Sequence, residues 1–211
     1  MNKLYNDLQS VITDSIFPEV DTRLRAGCHI DISDTQQYEF IEEAEELLQQ
    51  FYKGYGAGLV HGQEGFYYLL PEGSHLLGNR RLSVPEMLVG QTLALIKMDP
   101  AYLKTSGRLR VEQILNMMEM TLGQETLASL LTQRKRGKDR ETDNRKIRES
   151  VEKALRGLDS LGFITIFRDS GEILPRKAIY RFVDPVRKAG DLKSTLIELM
   201  KSGSVEIDDE G

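Results

Sequence analysis

A long amphipathic helix that feeds at once into a two-segment hairpin occurs twice in this chain, and that repeat limits the possible folds more than any other feature. In its first occurrence Phe40, Ala44, Leu47, Leu48 and Phe51 recur at three- and four-residue spacing, which sets them on one helical face. Ser33 or Asp34 stands where the cap of that helix belongs. After Gly54-Tyr55-Gly56 come Leu59-Val60 and Phe66-Tyr67-Tyr68-Leu69-Leu70, parted by Gly62-Gln63-Glu64-Gly65, which is a hairpin signature. In the second occurrence Ile147, Val151, Leu155, Leu158 and Leu161 stripe a helix predicted over 143–161, and Gly162 ends it. Strands are expected at 163–167 and 178–183, joined through Arg168-Asp169-Ser170-Gly171-Glu172 and Pro175.

Shorter elements precede each long helix. Leu4, Leu8, Val11, Ile12 and Ile16 predict a helix ending at Phe17-Pro18, and Val20 and Leu24 a second one stopping at Gly27. His29-Ile30-Asp31-Ile32 alternates as a short strand does. The stretch 71–81 reads as a linker, after which Ser83-Val84-Pro85-Glu86 has the form of a capping box opening a helix that runs to Met98. A short strand over 109–111 is then expected, with helices through Ile114, Leu115, Met118 and Leu122 and through Leu127, Leu130 and Leu131. Helices, a short strand, a long helix and a hairpin form the order of a winged helix. The expectation is a mostly helical α+β chain of tandem winged-helix domains, 1–82 and 83–190, with an acidic tail over 191–211; an α+β fold of another topology fits the same pattern.

Charge separates the two modules. Residues 1–82 hold 6 Lys and Arg against 13 Asp and Glu, residues 83–190 hold 20 against 14, and residues 191–211 hold 2 against 6. Glu39, Glu42, Glu43, Glu45 and Glu46 crowd the first long helix, so it would be repelled by phosphates and is either a solvated face or one that meets a protein. Glu42, Glu43 and Glu46, with the aromatic Tyr52, Phe66 and Tyr67, are the candidate partner contacts. Aromatic segments richer than so small a module needs also point to a homodimer. In the second module Arg134, Lys135, Arg136, Lys138, Arg140, Arg145, Lys146, Arg148, Lys153 and Arg156 face five acidic residues within 134–156, and Arg168 sits in the second hairpin. These are the candidate contacts to double-stranded DNA, since a net positive helix can neutralise phosphates; a mixed-charge solvated surface is the competing reading.

Other chemistry is poorly supplied. A single cysteine, Cys28, cannot form an internal disulfide, and with only His29, His61 and His75 besides there is no zinc-ligand spacing. The chain has no Gly-Lys-Ser/Thr phosphate loop, and Gly54-Tyr55-Gly56-Ala57-Gly58 precedes a strand where a dinucleotide fingerprint would follow one. No catalytic residues, metal or cofactor are therefore expected. The N-terminus lacks an apolar signal core and no apolar run approaches a membrane span, so a cytoplasmic protein is expected.

Ile16-Phe17-Pro18-Glu19-Val20-Asp21, Leu24 to Ile30, the run from Phe40 to Tyr52, Glu64 to Pro71 and Ile179 to Asp191 together resemble the MukE family and its MksE relatives, the small subunits of bacterial MukBEF-type condensins. The resemblance implies tandem winged helices that dimerise, bind a MukF-like kleisin and join a MukB-like SMC ATPase on nucleoid DNA, in chromosome condensation and segregation or, for the MksE branch, in defence against plasmids. The basic segment 134–140 and the shorter acidic tail depart from the MukE pattern. A free-standing winged-helix transcription regulator is the alternative.

Overall fold

A computed structural model of the chain describes residues 5–73, 77, 80–102, 106–132, 140–187 and 192–202. The chain divides into two compact units: Met1–Arg81 with Arg176–Ala178, and Leu82–Pro175 with Ile179–Gly211. The fold is mostly helical α+β.

In the first unit, helices α1 (Leu8–Ile12) and α2 (Phe17–Arg25) lead through strand β1 (Ile30–Asp31) to α3 (Thr35–Lys53), and the hairpin β2 (Ala57–Gly62) and β3 (Phe66–Pro71) follows. Helix α1 is shorter than its apolar spacing predicts, because Asp14 accepts the backbone N–H of Ile16 at 2.8 Å and turns the chain before Pro18 starts α2. Asp34 occupies the cap position of α3 but makes no side-chain cap bond; its carboxylate pairs instead with Arg23 and Arg176. The antiparallel sheet has the order β1-β3-β2, so the early strand pairs with the last strand of the hairpin. Val20, Leu24, Ile30, Phe40, Ile41, Leu48, Tyr52 and Tyr67 form the core beneath it.

In the second unit, α4 (Val84–Lys97), α5 (Val111–Leu122), α6 (Gln124–Thr132) and α7 (Arg140–Ser160) precede a hairpin of β4 (Ile164–Ile166) and β5 (Ile173–Pro175). Glu86 accepts the N–H and the hydroxyl of Ser83, each at 2.8 Å, which fixes the start of α4. Helix α4 is buried from Glu86 to Ile96 and packs against α5, α6, α7 and a C-terminal helix, α8 (Leu192–Ser202). Leu109 exchanges both backbone hydrogen bonds with Ile173 at 2.8 Å, so here too a strand-like residue ahead of the helices pairs with the last strand of the hairpin.

Two expectations need correction. The segment predicted as a strand over 178–183 lies in a 3-10 helix, Lys177–Val186, and the second strand of the hairpin is β5. Ala178, Ile179, Phe182, Val183 and Val186 are buried, and their spacing of one, three, one and three is helical, not the alternation a strand requires. The acidic tail is likewise not a tail from its start: α8 covers 192–202, with Leu196 and Met200 fully buried, four residues apart on one face.

A close approach holds the 3-10 segment to α4. A Cβ at Gly90 would overlap the Phe182 ring. Gly90→Ala gains about 1 kcal/mol of helix propensity, yet forcing a buried ring aside costs about 1–3 kcal/mol. Net destabilisation is expected in chemical denaturation; a variant more stable than the parent would contradict this contact.

Candidate functional site

Helix α7 buries Ile147, Val151, Ala154, Leu155 and Leu158, and this stripe turns Arg145, Glu149, Lys153 and Arg156 outward along one exposed ridge at spacings of four, four and three. The cations on this helix are not equivalent. Arg145 donates to Glu149 at 2.9 Å, and Arg148 donates to Glu152 at 3.0 Å and to Glu112 of α5 at 2.8 Å. The hydrogen bond from Arg148 holds the Glu112 carboxyl below the usual carboxylate range. Exposed pairs of this kind are weak and would yield to a phosphate, but each carries its own cancelling charge. Lys146 is half-buried. Lys153 and Arg156 are exposed and make no ion pair among the described residues. Among the described residues they are the exposed cations of α7 that no carboxylate pairs.

Arg168 is exposed in the turn between β4 and β5. Arg134, Lys135, Arg136 and Lys138 lie outside the described residues, and so does the side chain of Arg140, although its backbone opens α7. The sequence reading missed Arg108 and Arg110. Both are exposed and flank buried Leu109, a basic-apolar-basic alternation that could have marked them once a strand was expected there.

The corresponding helix of the first unit has the opposite sign. Glu39, Glu42, Glu43 and Glu46 are exposed on α3, and Glu45 is half-buried and accepts from the Tyr67 hydroxyl at 3.1 Å. Basic side chains nearby are occupied within the unit: Arg23 by Glu19 and Asp34, Arg25 by Asp21 and the Tyr55 ring, Arg176 by Asp31 and Asp34. Of the aromatic candidates, Tyr52, Phe66 and Tyr67 are all buried, so they do not line a surface in this fold. Their rings are core material: burial, followed by the charge of Glu45 and its hydrogen bond, pushes the Tyr67 hydroxyl far above the ordinary tyrosine value. These three rings are consumed by their own unit and carry no argument for a dimer, whereas Phe51 and Tyr68 of the same segments are half-buried.

Among the described residues no group of three or more His, Cys, Asp and Glu could hold a metal ion, and no helix is long and apolar enough to cross a membrane. What remains is a pair of long helices with opposite charge, the second followed by a hairpin in which Arg168 stands beside Asp169 and Glu172. A family model described as MukE-like matches residues 4–211. The chain belongs to the MukE-like family. It is similar to the chromosome partition protein MukE of Vibrio cholerae, 31% identical over 201 residues that cover 95% of this chain and 86% of that protein. The MukE of Photorhabdus laumondii is 29% identical over 197 residues, covering 93% of this chain and 84% of its own, and that of Aliivibrio salmonicida 30% over 200 residues, covering 95% and 83%.

Proposed function

We propose that this family member is a non-enzymatic subunit of a MukBEF-type condensin, acting in chromosome partition on nucleoid DNA in the cytoplasm. What carries the reading is similarity along nearly the whole chain to relatives named chromosome partition proteins. In this reading both units are winged helices. The pairing of the early strand with the last hairpin strand, seen as β1 with β3 and as Leu109 with Ile173, supports that assignment. The chain acts as a homodimer, bound by a kleisin and joined to an SMC ATPase.

The contrast between α3 and α7 supports a division of labour. The exposed glutamates of α3 suit a protein partner, and Lys153, Arg156 and Arg168 of the second unit suit the phosphates of double-stranded DNA. Such contacts tolerate any sequence, because they read backbone charge and no base edge.

Native purification from the host tests the assembly. A kleisin and an SMC ATPase are expected in stoichiometric amounts, and neither would accompany a free-standing regulator. Glu42→Lys with Glu46→Lys should lower recovery of those partners at least tenfold, at unchanged thermal stability, if the α3 face is an interface. Full recovery would mean that this face is merely solvated.

A further inference from the structure

The second hairpin holds in place an arginine from outside it, Arg108. Phe167 donates its N–H to the Glu172 carbonyl at 2.9 Å and accepts the Gly171 N–H at 2.7 Å, which closes the turn and brings the Phe167 ring and the Glu172 carboxylate to its base. Gly171 takes φ 67°, a left-handed conformation that suits glycine. Arg108 lies between these two groups. Its guanidinium carbon is 4.0 Å from the Phe167 ring centroid and its Nη1 donates to Glu172 Oε2 at 3.1 Å. Ser170 Oγ donates to the same carboxylate oxygen at 3.2 Å. Arg108 pulls the Glu172 carboxyl below the usual carboxylate range, so Glu172 is a full negative charge at neutral pH.

We propose that Arg108, with Arg110 two residues on and Arg168 in the hairpin turn, forms a phosphodiester-binding site at the hairpin of the second unit, and that Glu172 is the counter-ion that presets and restrains it. The inference rests on the reading that this unit meets double-stranded DNA. A guanidinium has five N–H donors, and Arg108 directs one at Glu172 while its side chain stays 44% exposed, so donors remain for a phosphate oxygen. Stacking on Phe167 fixes the plane of the fork before DNA arrives, which lowers the ordering cost of binding. Because Leu109 points inward and pairs with Ile173, strand alternation turns Arg108 and Arg110 to the same outer face. Arg110 is close enough for its charge to act on Glu172 as well. Against Glu172 and the exposed Asp169 of the same turn, the three arginines leave one net positive charge on a patch that the helical ridge of α7 does not include.

The test is a salt titration of the natively purified protein, with the partners that accompany it, against a fluorescent 40-base-pair duplex of arbitrary sequence. Arg108→Gln removes one phosphate contact, so affinity should fall about eightfold at 0.1 M salt and the log-log slope should flatten by about 0.9. Glu172→Gln keeps the shape and removes the competing charge, so affinity should rise several-fold. Phe167→Leu, which retains bulk but loses the ring face, should weaken binding less than Arg108→Gln. If Arg108→Gln and Glu172→Gln bind as the parent does while Lys153→Glu with Arg156→Glu binds worse, the hairpin site is wrong and the broader DNA reading stands. If none of these variants alters binding, both are wrong.

Discussion

Replacing Asp31 with alanine is expected to destabilise the first unit by about 3–5 kcal/mol, the range for removing one partner of a buried ion pair. The Asp31 side chain is 3% exposed and the Arg176 side chain 9%. Asp31 accepts from Arg176 Nη2 at 2.8 Å, from the Lys177 N–H at 2.8 Å and from the Ser33 N–H at 3.0 Å, and Asp34 bonds the same guanidinium. Without Asp31, four donors lose their acceptor, the Ser33 hydroxyl among them, and the buried Arg176 cation loses one of its two carboxylates. The large figure is therefore the penalty for a buried charge that loses part of its compensation, not the net worth of the pair. Asp31→Leu combined with Arg176→Met should recover much of the loss. Denaturant unfolding distinguishes the cases: a single Asp31→Ala variant within 1 kcal/mol of the parent would contradict the buried cluster.

The same cluster sets an acid limit. Burial alone would push the Asp31 carboxyl up, but hydrogen bonds from Arg176 and Ser33, the Arg176 charge and the Lys177 N–H outweigh it and hold the group at about 2. Its folded value lies below the unfolded value of about 3.9. Stability from this group is thus fully present above about pH 4 and is lost as pH falls toward 2, by on the order of 2–3 kcal/mol in all. Between pH 6 and 8 it contributes no pH dependence.

Asp31 also marks the limit of what could be read without coordinates. As His29-Ile30-Asp31-Ile32 it is legible as a strand residue, and β1 contains it. Its partner is 145 positions away in the chain, and periodicity reports only local neighbours. The elements that were legible, α3, the β2–β3 hairpin, α4 and α7, have long stripes or glycine-marked turns. At 178–183 the apolar run reads as a strand, whereas its four buried residues, Ala178, Ile179, Phe182 and Val183, follow a helical period that continues to Val186. Charge sign on α3 and α7 was legible because glutamate and lysine stay at the surface. Tyr52, Phe66 and Tyr67 were misjudged because an aromatic ring suits a core as well as an interface. The pairing of Arg145 with Glu149 was visible as an i,i+4 spacing, but the clamp of Glu112 on Arg148 links two helices and was not.

Those ion pairs decide where the strongest loss of DNA contact is expected. Lys153 and Arg156 are exposed and paired with no carboxylate among the described residues, whereas Arg145 and Arg148 bring their own carboxylates. A phosphate that replaces Glu149 on Arg145 releases little net charge; one that meets Lys153 or Arg156 displaces condensed counterions outright. Losing both contacts should cost roughly sixtyfold in affinity at 0.1 M salt, from about 0.9 log units per contact. Reversal to glutamate adds repulsion to that loss. Neither side chain packs in the core, so thermal stability should not change.

Salt-dependent retention of duplex DNA by the natively purified assembly, with Lys153→Glu and Arg156→Glu in this chain, therefore tests most directly whether the second unit is where DNA is held. The log-log salt slope should flatten by about 2 and affinity should fall at least sixtyfold at 0.1 M salt, with partner recovery unchanged. An unaltered slope and affinity in that variant would show that the ridge of α7 is only a solvated face and that DNA is held elsewhere.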